Sequence, residues 1–128
     1  MKYLIDTHIL IWHGENNPAL KPPVVAILND FQNEIFISHA SLWEITIKVS
    51  LGKLKLGFPI ARLEDSLLEN GFKLLPFEFS HYQVLSGLHF HHGDPFDRMI
   101  IAQALSEKLY IITHDDKFGL YSAPVIWA

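Results

Sequence analysis

Five short runs rich in β-branched, aromatic and other apolar residues, KYLI, EIFI, FKLLP, YIIT and PVIWA, are separated by stretches that carry helix signals. Strands that alternate with helices throughout leave little freedom of architecture, because successive strands then lie parallel and the connecting helices cover both faces of the sheet. The fold class read from this order is α/β: a three-layer α/β/α sandwich with a central, mainly parallel sheet. At 128 residues the chain is long enough for one core and too short for two. A single domain over residues 1–128 is therefore expected, and there is no internal repeat, low-complexity segment or linker.

The helix signals are local. Thr7 to Trp12 reads as a helical turn after the first strand, and Pro22-Pro23 opens a second helix, since a first turn does not need their missing N–H groups. Ser38 or Ser41 suits the cap of a helix carrying Leu42, Trp43, Ile45 and Val49, with Gly52 as its stop. Ile60, Leu63, Leu67 and Leu68 have helical spacing and end at Asn70-Gly71. Ser80 is the expected cap of a short helix ending near Gly87. Asp94-Pro95 starts a long helix reaching about Leu109, and DDKFGLY forms a turn or short helix before the last strand.

Four carboxylates fall where a strand ends or a helix begins: Asp6, Glu44, Asp97 and Asp115. In an open parallel sheet the carboxyl ends of the strands meet one crevice, so distant loops deliver side chains to a single point. Four like charges there call for a cation, and an all-oxygen donor set suits Mg²⁺ or Mn²⁺. Each acid also has an ordinary reading. Asp6 suits a helix N-cap, and Glu44 lies four residues before Lys48, where an exposed helical ion pair contributes only about 0.3–0.5 kcal/mol. Against the ion pair, Trp43, Ile45 and Ile47 surround Glu44 with apolar side chains. Asp94 and Asp97 divide a cap and a ligand between them, with Asp97 the preferred ligand; the opposite helix rotation reverses the roles. Asp115 is preferred over Asp116 because it stands closer to the strand end, and both suit a cap.

The net charge of −4 is unusual for a nucleic-acid binder, yet it equals the charge of the four acids alone. One divalent ion would halve it. Lys48, Lys53, Lys55, Arg98 and Lys117 remain candidates for phosphate contact. Absence of cysteine removes disulfides and thiolate zinc sites. No apolar run approaches a membrane span, and Met1 leads directly into a strand, so a cytoplasmic protein with no membrane partner is expected. Of eight histidines, His89, His91 and His92 crowd into HFHHG, but HExxH spacing is missing and a polar loop is expected. There is no Gly-rich phosphate loop and no GxSxG elbow.

Taken together, LIDTHILIW, SLWEITIKVSLGKL, DPFDRMIIAQAL and IITHDDKF resemble, in order and over nearly the full length, the PIN-domain proteins of the VapC type. These are ribonuclease toxins of bacterial type II toxin–antitoxin systems. The resemblance places the family's acidic set on Asp6, Glu44, Asp97 and Asp115. It implies an Mg²⁺- or Mn²⁺-dependent endoribonuclease that hydrolyses RNA in single-stranded regions, leaving a 5′-phosphate and a 3′-hydroxyl. Thr113 and Lys48 are then candidates for orienting ligands or phosphate. It also implies a cognate antitoxin, whose tail lies in an apolar groove, and a homodimer. Trp12, Phe36 and Trp43 are candidate groove residues, with ordinary core packing as the other reading. The alternative function is a catalytically silent PIN-like module that binds RNA or protein. An aspartyl-phosphate phosphatase or receiver is disfavoured, since Thr7 and His8 follow Asp6 where a second acid would be needed.

Overall fold

A computed structural model describes residues 1–128. The elements in chain order are β1 (Lys2–Ile5), α1 (Thr7–Gly14), α2 (Pro22–Asn29), β2 (Glu34–Ser38), α3 (His39–Ser50), α4 (Leu63–Glu69), β3 (Lys73–Leu75), α5 (Phe79–Ser86), α6 (Pro95–Glu107), β4 (Tyr110–Thr113) and β5 (Val125–Trp127). Short 3₁₀ turns cover Ile60–Arg62 and Asp116–Leu120. The five strands form one sheet in the order β3-β2-β1-β4-β5, and every pairing is parallel. The chain fills one side of β1 first and then returns to its other side with β4. The order therefore reverses between β1 and β4, which opens a crevice at their carboxyl ends.

Alternation along the strands divides the core into two layers. Tyr3, Ile5, Ile35, Ile37 and Ile112 pack on one face with Ile9 and Leu10 of α1, Val24 and Leu28 of α2, Ile45 of α3 and Leu67 of α4. Leu4, Leu75 and Ile111 pack on the other, chiefly with Met99, Ile100, Ile101 and Ala104 of α6 and with Phe118. The eight-residue run from Asp97 to Ala104 is buried throughout, so α6 is an interior helix carrying a carboxylate at its entrance. No helix of the chain is long and apolar enough to cross a membrane.

Local signals account for most helix ends. Ser38 caps α3 by accepting from the Ala40 N–H at 2.9 Å, which resolves the choice between Ser38 and Ser41. Asp94 Oδ1 accepts from the N–H groups of Phe96 and Asp97 at 2.9 and 3.0 Å, and Pro95 opens α6. Gly71 has φ +84°, and a Cβ there would meet Phe31 at 2.9 Å, so the stop after α4 requires glycine. Two expectations need correction. The cap of α5 is Glu78 rather than Ser80, which lies inside the helix; the Glu78 N–H donates to His81 Nδ1 at 3.0 Å. Helix α6 stops at Glu107, short of Leu109, because Lys108 turns left-handed at φ 58°.

Candidate active site

Asp6 leaves the end of β1 at the reversal point and is only 2% exposed. It occupies the N-cap position of α1, but its side chain caps nothing. Instead Oδ2 accepts from Thr113 Oγ1 at 2.9 Å, and Oδ1 is buried with no partner. Burial raises its carboxyl above the ordinary range; the charge of Glu44 adds to that shift and the Thr113 hydrogen bond opposes it. The ordinary cap reading of Asp6 therefore fails.

Glu44 is buried on α3, so its ion pair with Lys48 is not the exposed one expected and involves only one of its oxygens. Oε2 lies 3.4 Å from Lys48 Nζ, whereas Oε1 is buried and unpartnered. Thr7, next to Asp6, donates to Ser41 Oγ at 2.9 Å rather than to any carboxylate. Ser41 stands one turn before Glu44, so this bond fastens the start of α1 to the helix that presents Glu44.

Asp97, on the first turn of α6, is 9% exposed. Burial, followed by the charges of Asp6, Asp94, Asp115 and Glu44, pushes its carboxyl up to about 8. The structure thus brings Asp6, Glu44, Asp97 and Asp115 within electrostatic reach of one point, the carboxyl end of β1 and β4. Asp115 is half-buried and combines two tasks. Its Oδ1 accepts from the Lys117 N–H at 2.9 Å as cap of the 3₁₀ turn, and its N–H donates to Thr113 Oγ1 at 3.0 Å. Asp116 is exposed and is not among the charges acting on Asp97.

The donor set can be tested against a divalent cation. Two buried carboxylate oxygens without partners, on β1 and α3, are expensive, since an unsatisfied buried acceptor costs on the order of 1–3 kcal/mol. A hard cation takes oxygen ligands and offsets the mutual repulsion of the carboxylates. The chemistry of this donor set suits such an ion, although no three of the four acids bring ligand atoms within 4.8 Å of one another.

Other sequence candidates separate from this point. Arg98 is not free for phosphate: it is buried, donating to the carbonyls of His89 and Leu88 and to the Tyr121 hydroxyl. Lys53, Lys55 and Lys117 are exposed. Trp12, Phe36 and Trp43 do not share a groove. Trp12 packs on the α1–α2 side of the sheet, Phe36 on the α6 side, and Trp43 is 58% exposed, with its ring edge-on to Phe96 at 5.3 Å. Trp43 borders an apolar cleft of about 200 Å³ between α3, α5 and α6, with Phe77, Tyr82 and Phe96.

His92 was not legible as a site residue. The HFHHG segment is a loop, as expected, but it lays His92 Nε2 3.3 Å from Asp97 Oδ2 and Nδ1 2.8 Å from the Tyr121 hydroxyl. Burial lowers the His92 pKa. The available signal was its position two residues before the Asp94 cap.

The residues that do bring possible ligand atoms within 4.8 Å of one another are Glu78, His81 and Glu107. That cluster lies at the far end of α6 from Asp97, about 15 Å away along the helix. His81 Nδ1 accepts from the Glu78 N–H, which leaves the proton on Nε2, 3.3 Å from Glu107 Oε2. Its ring is satisfied as a hydrogen-bond bridge between α5 and α6, and a metal would have to displace that proton.

The family model for the PIN domain matches residues 3–123, and the chain belongs to this family. No curated protein sequence matches it. Among solved structures, VapBC2 from Rickettsia felis, bound to a DNA fragment from its promoter, is similar with a TM-score of 0.78 and 20% identity, covering 99% of this chain and 98% of that one. FitAcB from Neisseria gonorrhoeae gives 0.72 at 24% identity, covering 97% and 96%. VapBC-5 from Mycobacterium tuberculosis, a member of the VapBC family of toxin–antitoxin systems, gives 0.62 at 22% identity, covering 98% and 96%. At these identities the likeness establishes the fold.

Proposed function

We propose that residues 1–128 act as one nuclease domain, a metal-dependent endoribonuclease that serves as the toxin of a type II toxin–antitoxin pair in the cytoplasm. The observation that carries this reading is the pair of buried, unpartnered oxygens, Asp6 Oδ1 and Glu44 Oε1, beside an Asp97 surrounded by carboxylates. Asp6, Glu44, Asp97 and Asp115 would hold Mg²⁺ or Mn²⁺. When bound, such an ion supplies a Lewis acid for the phosphoryl oxygen, acidifies an attacking water and stabilises the departing alkoxide.

The protein's own groups supply position and charge. Thr113 holds Asp6 by one oxygen, and Lys48 offsets one oxygen of Glu44. Asp97 must release its proton before it serves as a ligand. Exposed Lys53, Lys55 and Lys117 are available for the RNA backbone, whose phosphates a chain of net charge −4 otherwise repels. The toxin assignment draws support from similarity to chains in toxin–antitoxin complexes, and the partners proposed are a cognate antitoxin and a second copy of the chain.

The test is cleavage of an end-labelled structured RNA by the purified protein in Mg²⁺ or Mn²⁺. Cutting in single-stranded regions with 5′-phosphate ends, stopped by EDTA and lost in Glu44→Gln, is expected. Cleavage that persists in chelator or requires Zn²⁺ would overturn the hard-metal mechanism. Tight RNA binding without cutting under any metal would make the domain a silent binding module.

A further inference from the structure

The His92 contact with Asp97 belongs to a longer chain of hydrogen bonds whose direction can be worked out atom by atom. Arg98 carries donors only. Its Nη1 lies 3.0 Å from the Tyr121 oxygen, which must accept. Tyr121 is itself buried, and its hydroxyl hydrogen still needs an acceptor. His92 Nδ1, 2.8 Å away, is that acceptor. A neutral imidazole that accepts at Nδ1 carries its hydrogen on Nε2. That nitrogen is 3.3 Å from Asp97 Oδ2, so it donates to that oxygen, and the proton that Asp97 carries without a metal sits on Oδ1.

The start of the chain is rigid. Arg98 also donates to the His89 carbonyl at 2.9 Å and the Leu88 carbonyl at 3.2 Å, and its guanidinium lies 4.3 Å from the centre of the Phe90 ring. The His91 ring packs edge-on against Tyr121 at 4.8 Å. Arg98 follows Asp97 directly on α6, so the loop is clamped to the same helix turn that presents the carboxylate. This explains why a buried arginine stands beside an acidic site without pairing with any acid.

We propose that Arg98, Tyr121 and His92 form a one-way hydrogen-bond relay that fixes the Nε2–H tautomer of His92 and thereby orients Asp97 for a divalent cation. His92 is a positioning residue: its Nε2 is occupied by hydrogen and is not a ligand. Held through Oδ2, Asp97 keeps its other oxygen for the metal, and such outer partners typically change metal affinity by about 10–100-fold. The inference rests on the four-acid metal reading above.

Two measurements test it, neither requiring RNA. In the metal-free protein, ¹⁵N NMR of the imidazole should show His92 with hydrogen on Nε2, and Tyr121→Phe should shift it to a mixture. Mn²⁺ titration followed by electron paramagnetic resonance should show affinity falling by about tenfold or more in His92→Leu. His92→Gln should stay within about threefold of wild type, since the amide places a donor where Nε2 stood. Tyr121→Phe should weaken binding in the wild-type background and add nothing in the His92→Gln background, because a glutamine has no tautomer to fix.

Wild-type Mn²⁺ affinity in His92→Leu, equal losses in His92→Leu and His92→Gln, or hydrogen on Nδ1 in the wild type would each overturn the relay while leaving the metal site standing. Wild-type protein that binds no Mn²⁺ would overturn the metal reading and the relay together. Should His92→Leu fail to fold in EDTA melts, the NMR measurement and the glutamine cycle still decide.

Discussion

Thr113 and Asp6, 107 residues apart in the chain, are joined by a 2.9 Å hydrogen bond from Thr113 Oγ1 to Asp6 Oδ2 across the β4–β1 boundary. Thr113 Oγ1 in turn accepts from the Asp115 N–H at 3.0 Å. One hydroxyl at the reversal point of the sheet therefore holds a carboxylate of the first strand and sets the chain path that delivers the last one.

Thr113→Val keeps the shape of the side chain and removes both bonds, leaving Asp6 without a side-chain donor on either oxygen. A stability loss of about 1–3 kcal/mol is expected in urea unfolding at neutral pH, with weaker Mn²⁺ binding. Thr113→Ser retains the hydroxyl and should stay within about 1 kcal/mol of wild type. Equal stability of the valine and wild-type proteins would show that the bond contributes nothing.

Asp94 and Asp97 differ in what their side chains touch: Asp94 caps α6, and Asp97 meets His92. Asp94 accepts from two backbone N–H groups, a task asparagine performs nearly as well, so Asp94→Asn should keep most cleavage activity. Asp97→Asn should abolish cleavage and leave the circular dichroism spectrum unchanged. The opposite pattern would place the ligand on Asp94.

Much of this arrangement was legible because it is local. The five strands, the Pro22 and Asp94-Pro95 helix starts and the Asn70-Gly71 stop depend on neighbours within a few residues, and each stands where its signal lies. The positions of Asp6 and Asp115 were legible for a topological reason, since a parallel sheet gathers its strand ends whatever the details of packing, whereas Glu44 stands inside α3 rather than where a helix begins. What escaped depends on partners distant in sequence. The fate of Arg98 is set by Tyr121 and by the His89 and Leu88 carbonyls, which turn a candidate phosphate ligand into a buried clamp. Glu78 displaces Ser80 as the cap of α5 because the backbone is extended at Glu78 and its N–H meets His81 Nδ1. Trp12 and Phe36 had only their aromatic character to suggest a groove; strand alternation turns Phe36 to the α6 layer, whereas Trp12, on α1, packs in the other.

Asp6→Asn provides a test of repulsion at the site. Burial and the Glu44 charge disfavour an ionised Asp6, so a neutral isostere should melt at the same or a higher temperature in EDTA. It should also gain less from added Mg²⁺, because the stabilisation by a bound ion grows with the logarithm of its affinity. Equal gains in mutant and wild type would show that Asp6 is not a ligand.

The pH dependence of the metal-free protein follows from Asp97. Its carboxyl is pushed up to about 8 in the fold from an ordinary value of 3.8, so the folded state binds the proton more tightly than the unfolded chain. A raised acid contributes its stability in full below the unfolded value and loses it progressively as pH rises toward 8. Asp6 is shifted in the same direction. His92 acts oppositely: with its folded pKa lowered from 6.5, it weakens the fold only as pH falls below 6.5. Between pH 6.5 and 8 the carboxyls therefore act alone among these groups. Urea unfolding in EDTA should show stability declining across this window, and Asp97→Asn should remove most of the slope. With Mn²⁺ present the trend reverses, since the cation competes with the proton and its apparent affinity rises up to about pH 8. A wild-type protein whose stability in EDTA is flat or rising from pH 6.5 to 8 would mean that Asp97 is ionised without a metal and that the site is less crowded than its geometry indicates.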